Sequence, residues 1–321
     1  MTGSNTNLLK SEKLSGKTLS SKTLSSVRQR SIRLAATVFL LPALFFIIVY
    51  IVYPIIDTFI TSTMRWGGMG GRKSFTGLDN WVTLVKDANF WKSFVNNLKI
   101  MFLSLLFQVP FAMALATFLD ATGKKGFIFK VVWFIPYLLS SVVIAVLFKY
   151  ALDANYGILA SISRLFGGGA VDLLGNPRVA LYTVIGVVCW QYTPFYMVLY
   201  LAAYGTIPVE LYEAASIDGA TRSQYFWRVS LPLLKPTVIS GMILSIIGSL
   251  KYFDLVFVMT GGGPGVATEI MATYMYRYSF VRFNMGYGAT VASGMFILIT
   301  LVAWFTITVL NRGSQRARSG K

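Results

Sequence analysis

The chain has 321 residues, 55% of them hydrophobic and only 13% charged, about half the charged share of an ordinary soluble domain. That excludes a soluble globular protein and a disordered one, and it predicts several membrane-spanning segments. The formal charge of +17, from 29 Lys and Arg against 12 Asp and Glu, fits basic loops beside anionic lipid better than a nucleic-acid partner.

In chain order, residues 1–33 are basic and rich in Ser, Thr and Lys, with Glu12 the one acid. They read as a disordered cytoplasmic tail. The apolar run that follows starts too late and is too long for a cleavable signal peptide. A spanning helix needs about 20 mostly apolar residues. Six runs meet that need, at about 34–56, 98–119, 131–149, 179–203, 236–258 and 285–310, the fifth interrupted by Lys251 and Asp254. A basic tail at 312–321 closes the chain. Pro42, Pro54, Pro110, Pro136 and Pro194 fall inside spans, where membrane helices tolerate proline.

Six spans place both termini on one side. Basic residues favour that side: the N-terminal tail, then Lys124, Lys125 and Lys130, then Arg222, Arg228 and Lys235, then Arg312, Arg316, Arg318 and Lys321. Both termini are therefore expected in the cytoplasm. Domain organisation follows: a tail at 1–33, a transmembrane domain at 34–311 with a cytoplasmic loop at 206–235, and a tail at 312–321. The whole is an all-α membrane protein.

Several features carry no chemistry. Ser15-Gly16-Lys17-Thr18 looks like the end of a phosphate-binding loop, but the required earlier glycine is Ser11 and no apolar strand precedes it. Gly67–Gly71 and Gly167–Gly169 read as turns. There is no His, and Cys189 is the single Cys. Intrachain disulfides are thus impossible, and Cys/His metal sites or a histidine base are nearly excluded. No catalytic or metal site and no cofactor is expected in this chain.

The loop after the fourth span is the informative segment. Pro208 suits a first helical turn, and Glu210 and Glu213 suit its positive end. Leu211, Ala214, Ala215 and Asp218 keep helical spacing, and Gly219 suits a C-terminal cap. A second short helix is expected from Ser223 to Ser230, ending at Leu231-Pro232. Two short helices meeting at a glycine make a protruding knob. An amphipathic loop lying on lipid is the plainer alternative, but the Ala-Ala face suits close docking into a protein groove.

Glu213-Ala214-Ala215, then Gly219, then Val229-Ser230-Leu231-Pro232 resembles the EAA loop of inner-membrane permeases of binding-protein-dependent ABC importers. The family pattern has Ile at the place of Val229. Phe75-Thr76-Gly77-Leu78-Asp79-Asn80, Phe253-Asp254, Met259-Thr260-Gly261-Gly262-Gly263-Pro264 and Thr268 are similar to signatures of its carbohydrate-type members, such as the maltose, glycerol-phosphate and multiple-sugar permeases. The resemblance covers residues 35–310. It implies the type I ABC importer permease fold in the bacterial or archaeal inner membrane. It implies a second permease subunit, two ABC ATPases that bind ATP and Mg in place of this chain, and an extracytoplasmic solute-binding protein. Glu213, Ala214, Ala215, Asp218 and Gly219 would couple to the ATPases.

For a sugar path, hydroxyl-bonding side chains and an aromatic face are needed. Gln191, Tyr192 and Phe195 share one face of the fourth span, and Ser245, Ser249 and Tyr252 share one face of the fifth, with Gly248 beside them. Helix packing also gathers small and polar residues, so that reading stands beside the path. The rival function is a secondary carrier working through a Lys251–Asp254 pair inside the fifth span.

Overall fold

In hydrocarbon the backbone must satisfy its own hydrogen bonds, so each long apolar run closes into a helix. The computed structural model describes residues 37–319 and is mostly helical there. Segment 1–33, the expected start of the first span at Leu34 and the last two residues of the 312–321 tail lie outside the described residues.

The elements are α1 (Thr37–Ser62), a two-stranded antiparallel pair β1 (Met64–Arg65) and β2 (Ser74–Phe75), then α2 (Asp79–Lys86) and α3 (Ala88–Thr122). A 3₁₀ turn at Gly123–Gly126 leads to α4 (Phe127–Leu138), α5 (Ser141–Ala151), α6 (Ile158–Leu165) and α7 (Ala180–Tyr204). There follow α8 (Val209–Ile217), α9 (Arg222–Ser249), α10 (Asp254–Thr260), α11 (Met271–Tyr276) and α12 (Met285–Ser319). Thr58 ends one structural unit and Phe59 begins the other. In the first unit the described residues are mostly apolar and almost all exposed.

Five helices are long and apolar enough to cross a membrane: α1, α3, α7, α9 and the part of α12 from Met285 to Val309. The remaining expected span, the third, is a bent pair, with α4 and α5 meeting at 94°. The unbroken helix expected at 131–149 is thus corrected. Leu139 leaves α4 in an extended conformation, and Ser140 starts a new helix by accepting the Val142 N–H at 3.3 Å. The second span starts earlier than 98, because the Asp87 side chain caps α3 by accepting the N–H groups of Asn89 and Phe90. At the other end of the chain the backbone stays helical past Asn311 into the 312–321 segment.

The fifth span also differs from 236–258. Its helix begins at Arg222 and ends at Ser249, and α10 is a separate short helix. The second knob helix therefore does not stop at Leu231-Pro232. A π turn over Phe226–Ser230 carries it into the span. Pro232 has no N–H to give, and its ring crowds the carbonyl four residues back. That carbonyl belongs to Arg228, inside the widened turn.

In the second unit α3 packs most extensively on α7, with α9 against both and α10 against α5. One apolar cluster joins Ile100, Ile144, Val184, Val188, Val256 and Ile270. Another joins Ala112, Ala116, Met197, Tyr200 and Leu234 nearer the 205–222 end. Asn80, the last residue of the Phe75–Asn80 motif, donates to Ser62 O and Met64 O, both at 3.0 Å. It satisfies carbonyls left unpaired where α1 stops.

Candidate functional site

Three places in the second unit carry the residues singled out by the sequence. The first is the knob. Helix α8 has no buried residue, and Ile217 at its end is 86% exposed. Glu213, Ala214, Asp218 and Gly219 are exposed and Ala215 is half-buried. Asp218 is the C-cap, and Gly219 follows in the left-handed region at φ +72°. Ala220 N–H closes the end on Ala215 O at 2.9 Å. Thr221 and Gln224 form a reciprocal capping box that starts α9. The rings of Tyr212 and Tyr225, 5.2 Å apart, brace the two arms. The result is a short, stiff, double-capped projection with its small residues outward.

The second place is the middle of the bundle. Here the predicted stripe residues fall into two groups. Gln191, only 2% exposed, donates from Nε2 to Ser141 Oγ at 3.3 Å and toward Leu139 O at 3.4 Å. It thereby serves the carbonyl exposed by the break between α4 and α5. Ser245, also buried, donates to Gln108 Oε1 at 3.1 Å, and Ser249 donates to Ser245 O at 2.6 Å. These three lie between helices. Tyr192, Phe195 and Tyr252 are half-buried and come together: the Tyr192 and Tyr252 rings are 5.2 Å apart. Tyr137 joins them, 5.4 Å from Phe195 and 6.2 Å from Tyr192. Tyr192 Oη shares a 3.1 Å hydrogen bond with Ser141 Oγ. Sequence reasoning missed Gln108, Tyr137 and Ser141. Gln108 was legible as an amide in an apolar run, whereas Tyr137 and Ser141 matter only because the third span breaks between them.

Lys251 and Asp254 are both exposed, and the ion pair found among the described residues is Glu269–Arg277 instead. The rival reading's Lys251–Asp254 pair does not form: Lys251 lies inside the helix break at 250–253 and Asp254 begins the next helix, so the two do not share a helical face.

The third place is the glycine-rich loop of the 259–268 signature. Thr268 Oγ1 lies 2.7 Å from Thr260 Oγ1 and donates to Gly263 O at 2.6 Å. Asn96 on α3 donates to Ala267 O at 3.0 Å and Glu269 O at 2.9 Å, and Asn97 Oδ1 accepts the Met271 N–H at 2.9 Å. Glu269 is fully buried with its Oε2 2.7 Å from Arg277 Nη2. Burial raises the Glu269 carboxyl above its ordinary range, against the pull of Thr273, Arg277 and Arg282. Arg277 also donates to Gly261 O at 2.9 Å. Nearby, burial works to raise the Asp87 carboxyl. Hydrogen bonds from Tyr274, Tyr287 and the Asn89 and Phe90 amides outweigh it and hold Asp87 below the usual carboxylate value.

Taken together, the arrangement offers an exposed knob for a partner at one end of the bundle, a polar and aromatic mid-bundle surface, and a tied loop at the other end. Residues 97–315 match the family described as binding-protein-dependent transport system inner membrane component. Over 137 residues the chain is 60% identical to the putative ABC transporter permease protein ORF1 of Caldicellulosiruptor sp., covering 43% of this chain and 98% of that protein. It is 33% identical over 279 residues to the trehalose/maltose transport system permease protein MalF of Thermococcus litoralis, covering 86% and 92%. A chain in the crystal structure of a bacterial alginate ABC transporter, in complex with an alginate pentasaccharide-bound periplasmic protein, superposes with TM-score 0.76 at 25% identity. That match covers 90% of this chain and 96% of that one.

Proposed function

This chain belongs to the family of binding-protein-dependent transport system inner membrane components, and we propose that it takes a sugar across the membrane by alternating access driven through its knob. It is a multi-pass permease subunit of an ABC importer in the cytoplasmic membrane, working with ATPase and solute-binding partners. A sugar is the substrate that the aromatic set Tyr137, Tyr192, Phe195 and Tyr252 favours, since ring faces suit sugar C–H surfaces. The trehalose/maltose relative supports the same class.

The observation that carries the coupling role is the exposure of α8, which has no buried residue and presents Val209, Leu211 and Ile217 outward. In this reading Glu213 anchors the knob in an ATPase groove, Ala214 and Ala215 allow close approach, and Asp218 and Gly219 stop the helix so that it stays rigid. Both termini and the 206–235 segment face the cytoplasm. Two ATPases hold ATP and Mg, and this chain performs no catalysis. A second, different permease completes the path, and one knob docks to each ATPase. A rigid lever is required because coupling energy spent on bending a loop does not reach the path. Co-purification tests the reading: the ATPases should accompany the intact permease pair and dissociate when Glu213→Lys is introduced. Retention of the ATPases with unchanged uptake would refute it.

A further inference from the structure

We propose that a groove between α3 and α9 is a binding site for one anionic phospholipid of the leaflet on the knob side. The groove has a volume of about 640 Å³ and is walled by Val109, Met113, Phe118, Trp227, Leu231 and Val238 among others. Its hydroxyl, Thr117 Oγ1, is already committed to Met113 O at 2.8 Å and Tyr204 Oη at 2.7 Å. A polar ligand or a peptide backbone lying there would leave its own groups unsatisfied. An acyl chain would not.

The charge at its mouth decides the headgroup. Leu231, Lys235 and Val238 recur at i, i+4 and i+7 along α9, one helical face. Leu231 and Val238 line the groove, so Lys235 stands on its rim, and the exposed Arg228 lies in the π turn next to Trp227, which also lines it. On the facing helix, Ala121 lines the groove, and the exposed Lys125 stands in the 3₁₀ turn that follows the end of that helix. None of these three cations has a carboxylate partner among the described residues. The one nearby acid on α3, Asp120, lines the adjoining cavity with Tyr204 and Arg222 instead. Trp227, 63% exposed beside the groove, suits the membrane interface. An apolar furrow ending in unpaired cations fits an acyl chain with a phosphate head. A second protein helix would have to bury those cations unpaired.

A lipid held there would brace the π turn that joins the knob to the span. The inference rests on the cytoplasmic placement of the 206–235 segment, not on the sugar. The test uses the whole complex, both permeases with their ATPases, in nanodiscs of phosphatidylcholine doped with phosphatidylglycerol. Retained lipid is counted by native mass spectrometry after detergent stripping. Phosphatidylglycerol should be retained in preference to phosphatidylcholine. Arg228→Gln with Lys235→Gln should weaken that preference by roughly fivefold for each cation removed. Ala114→Trp, which fills the groove, should displace both lipids. Equal retention of the two lipids by the unaltered complex, or unchanged retention in the charge variant, would overturn the proposal. So would a photo-cross-link to the second permease from a thiol-directed photoreactive reagent on Met113→Cys. ATPase co-purification is read in the same samples, so failure of the coupling reading shows separately from failure of the lipid site.

Discussion

Asp87 Oδ2 accepts a hydrogen bond from Tyr287 Oη at 2.6 Å, across 200 residues of chain. The same oxygen accepts from Tyr274, while Oδ1 caps α3 through the Asn89 and Phe90 amides. One carboxylate thus ties the start of α3 to α11 and α12. Replacing Asp87 with Ala should cost about 2–4 kcal/mol, combining a lost helix cap with hydrogen bonds to a charged group. Thermal unfolding of the purified complex measures it.

The same residue predicts a pH dependence. Its carboxyl is held below the ordinary value of 3.8 in the folded protein. A depressed acid contributes stability above the unfolded value and loses it as pH falls through the folded one. The unaltered protein should therefore lose apparent Tm as pH falls below about 4, and Asp87→Asn should flatten that dependence. Identical pH profiles for the two proteins would remove Asp87 from this role.

At the knob, Gly219 has φ +72° and open space where a Cβ would stand. Any penalty for a side chain is therefore backbone strain alone, about 1–2 kcal/mol for most residues. Gly219→Asn should couple nearly normally, because Asn tolerates the left-handed region. Gly219→Val should lower substrate-stimulated ATP turnover several-fold. Equal activity in the two variants would show that the conformation is not what matters there.

In the middle of the bundle the two groups of residues should behave differently. Tyr252→Ala should lower uptake into vesicles while the complex still assembles, because Tyr252 is half-buried beside Tyr192. Gln191→Ala should act mainly on assembly, by about 1–3 kcal/mol, since it leaves the Leu139 carbonyl unpaired. Uptake assays set beside gel filtration of each variant separate the two effects. Normal uptake with Tyr252→Ala would move the path elsewhere.

In the glycine-rich loop, Gly262 lies at φ +91°, and a Cβ there would stand 2.8 Å from Glu269 Oε2 and 3.0 Å from Arg277 Nη2. Gly262→Ala should push the buried pair apart. The expected result is weaker stimulation of ATP turnover by the solute-binding protein, with the basal rate retained. Full stimulation would show that the loop tolerates the displacement.

Much of this was legible from local rules. Glu213-Ala214-Ala215 and Gly219 mark a capped helix by composition and spacing alone, and the structure forms it at Val209–Ile217. The long charge-free runs became helices because lipid leaves no alternative. The break in the third span was harder, since Tyr137 to Ser141 holds no charge, glycine or proline and two serines are common inside a membrane helix. Ser140 acts as a cap only once the chain turns there. The run through Pro232 was misread as a stop because a π turn can absorb a proline. Asp87 and Asn96 were invisible as anchors: their partners lie more than 170 residues away, and no spacing rule reaches that far.

The central claim is that α8 is the surface through which ATPases drive this permease. The direct measurement is a site-specific cross-link from Ala215→Cys, with Cys189→Ala removing the one native thiol. It is made in reconstituted vesicles containing the whole complex. A cross-link to the ATPase is expected, blocked by a thiol reagent only when that reagent reaches the cytoplasmic face. Labelling of Ala215→Cys by an impermeant reagent from the opposite face, with no ATPase cross-link, would contradict it.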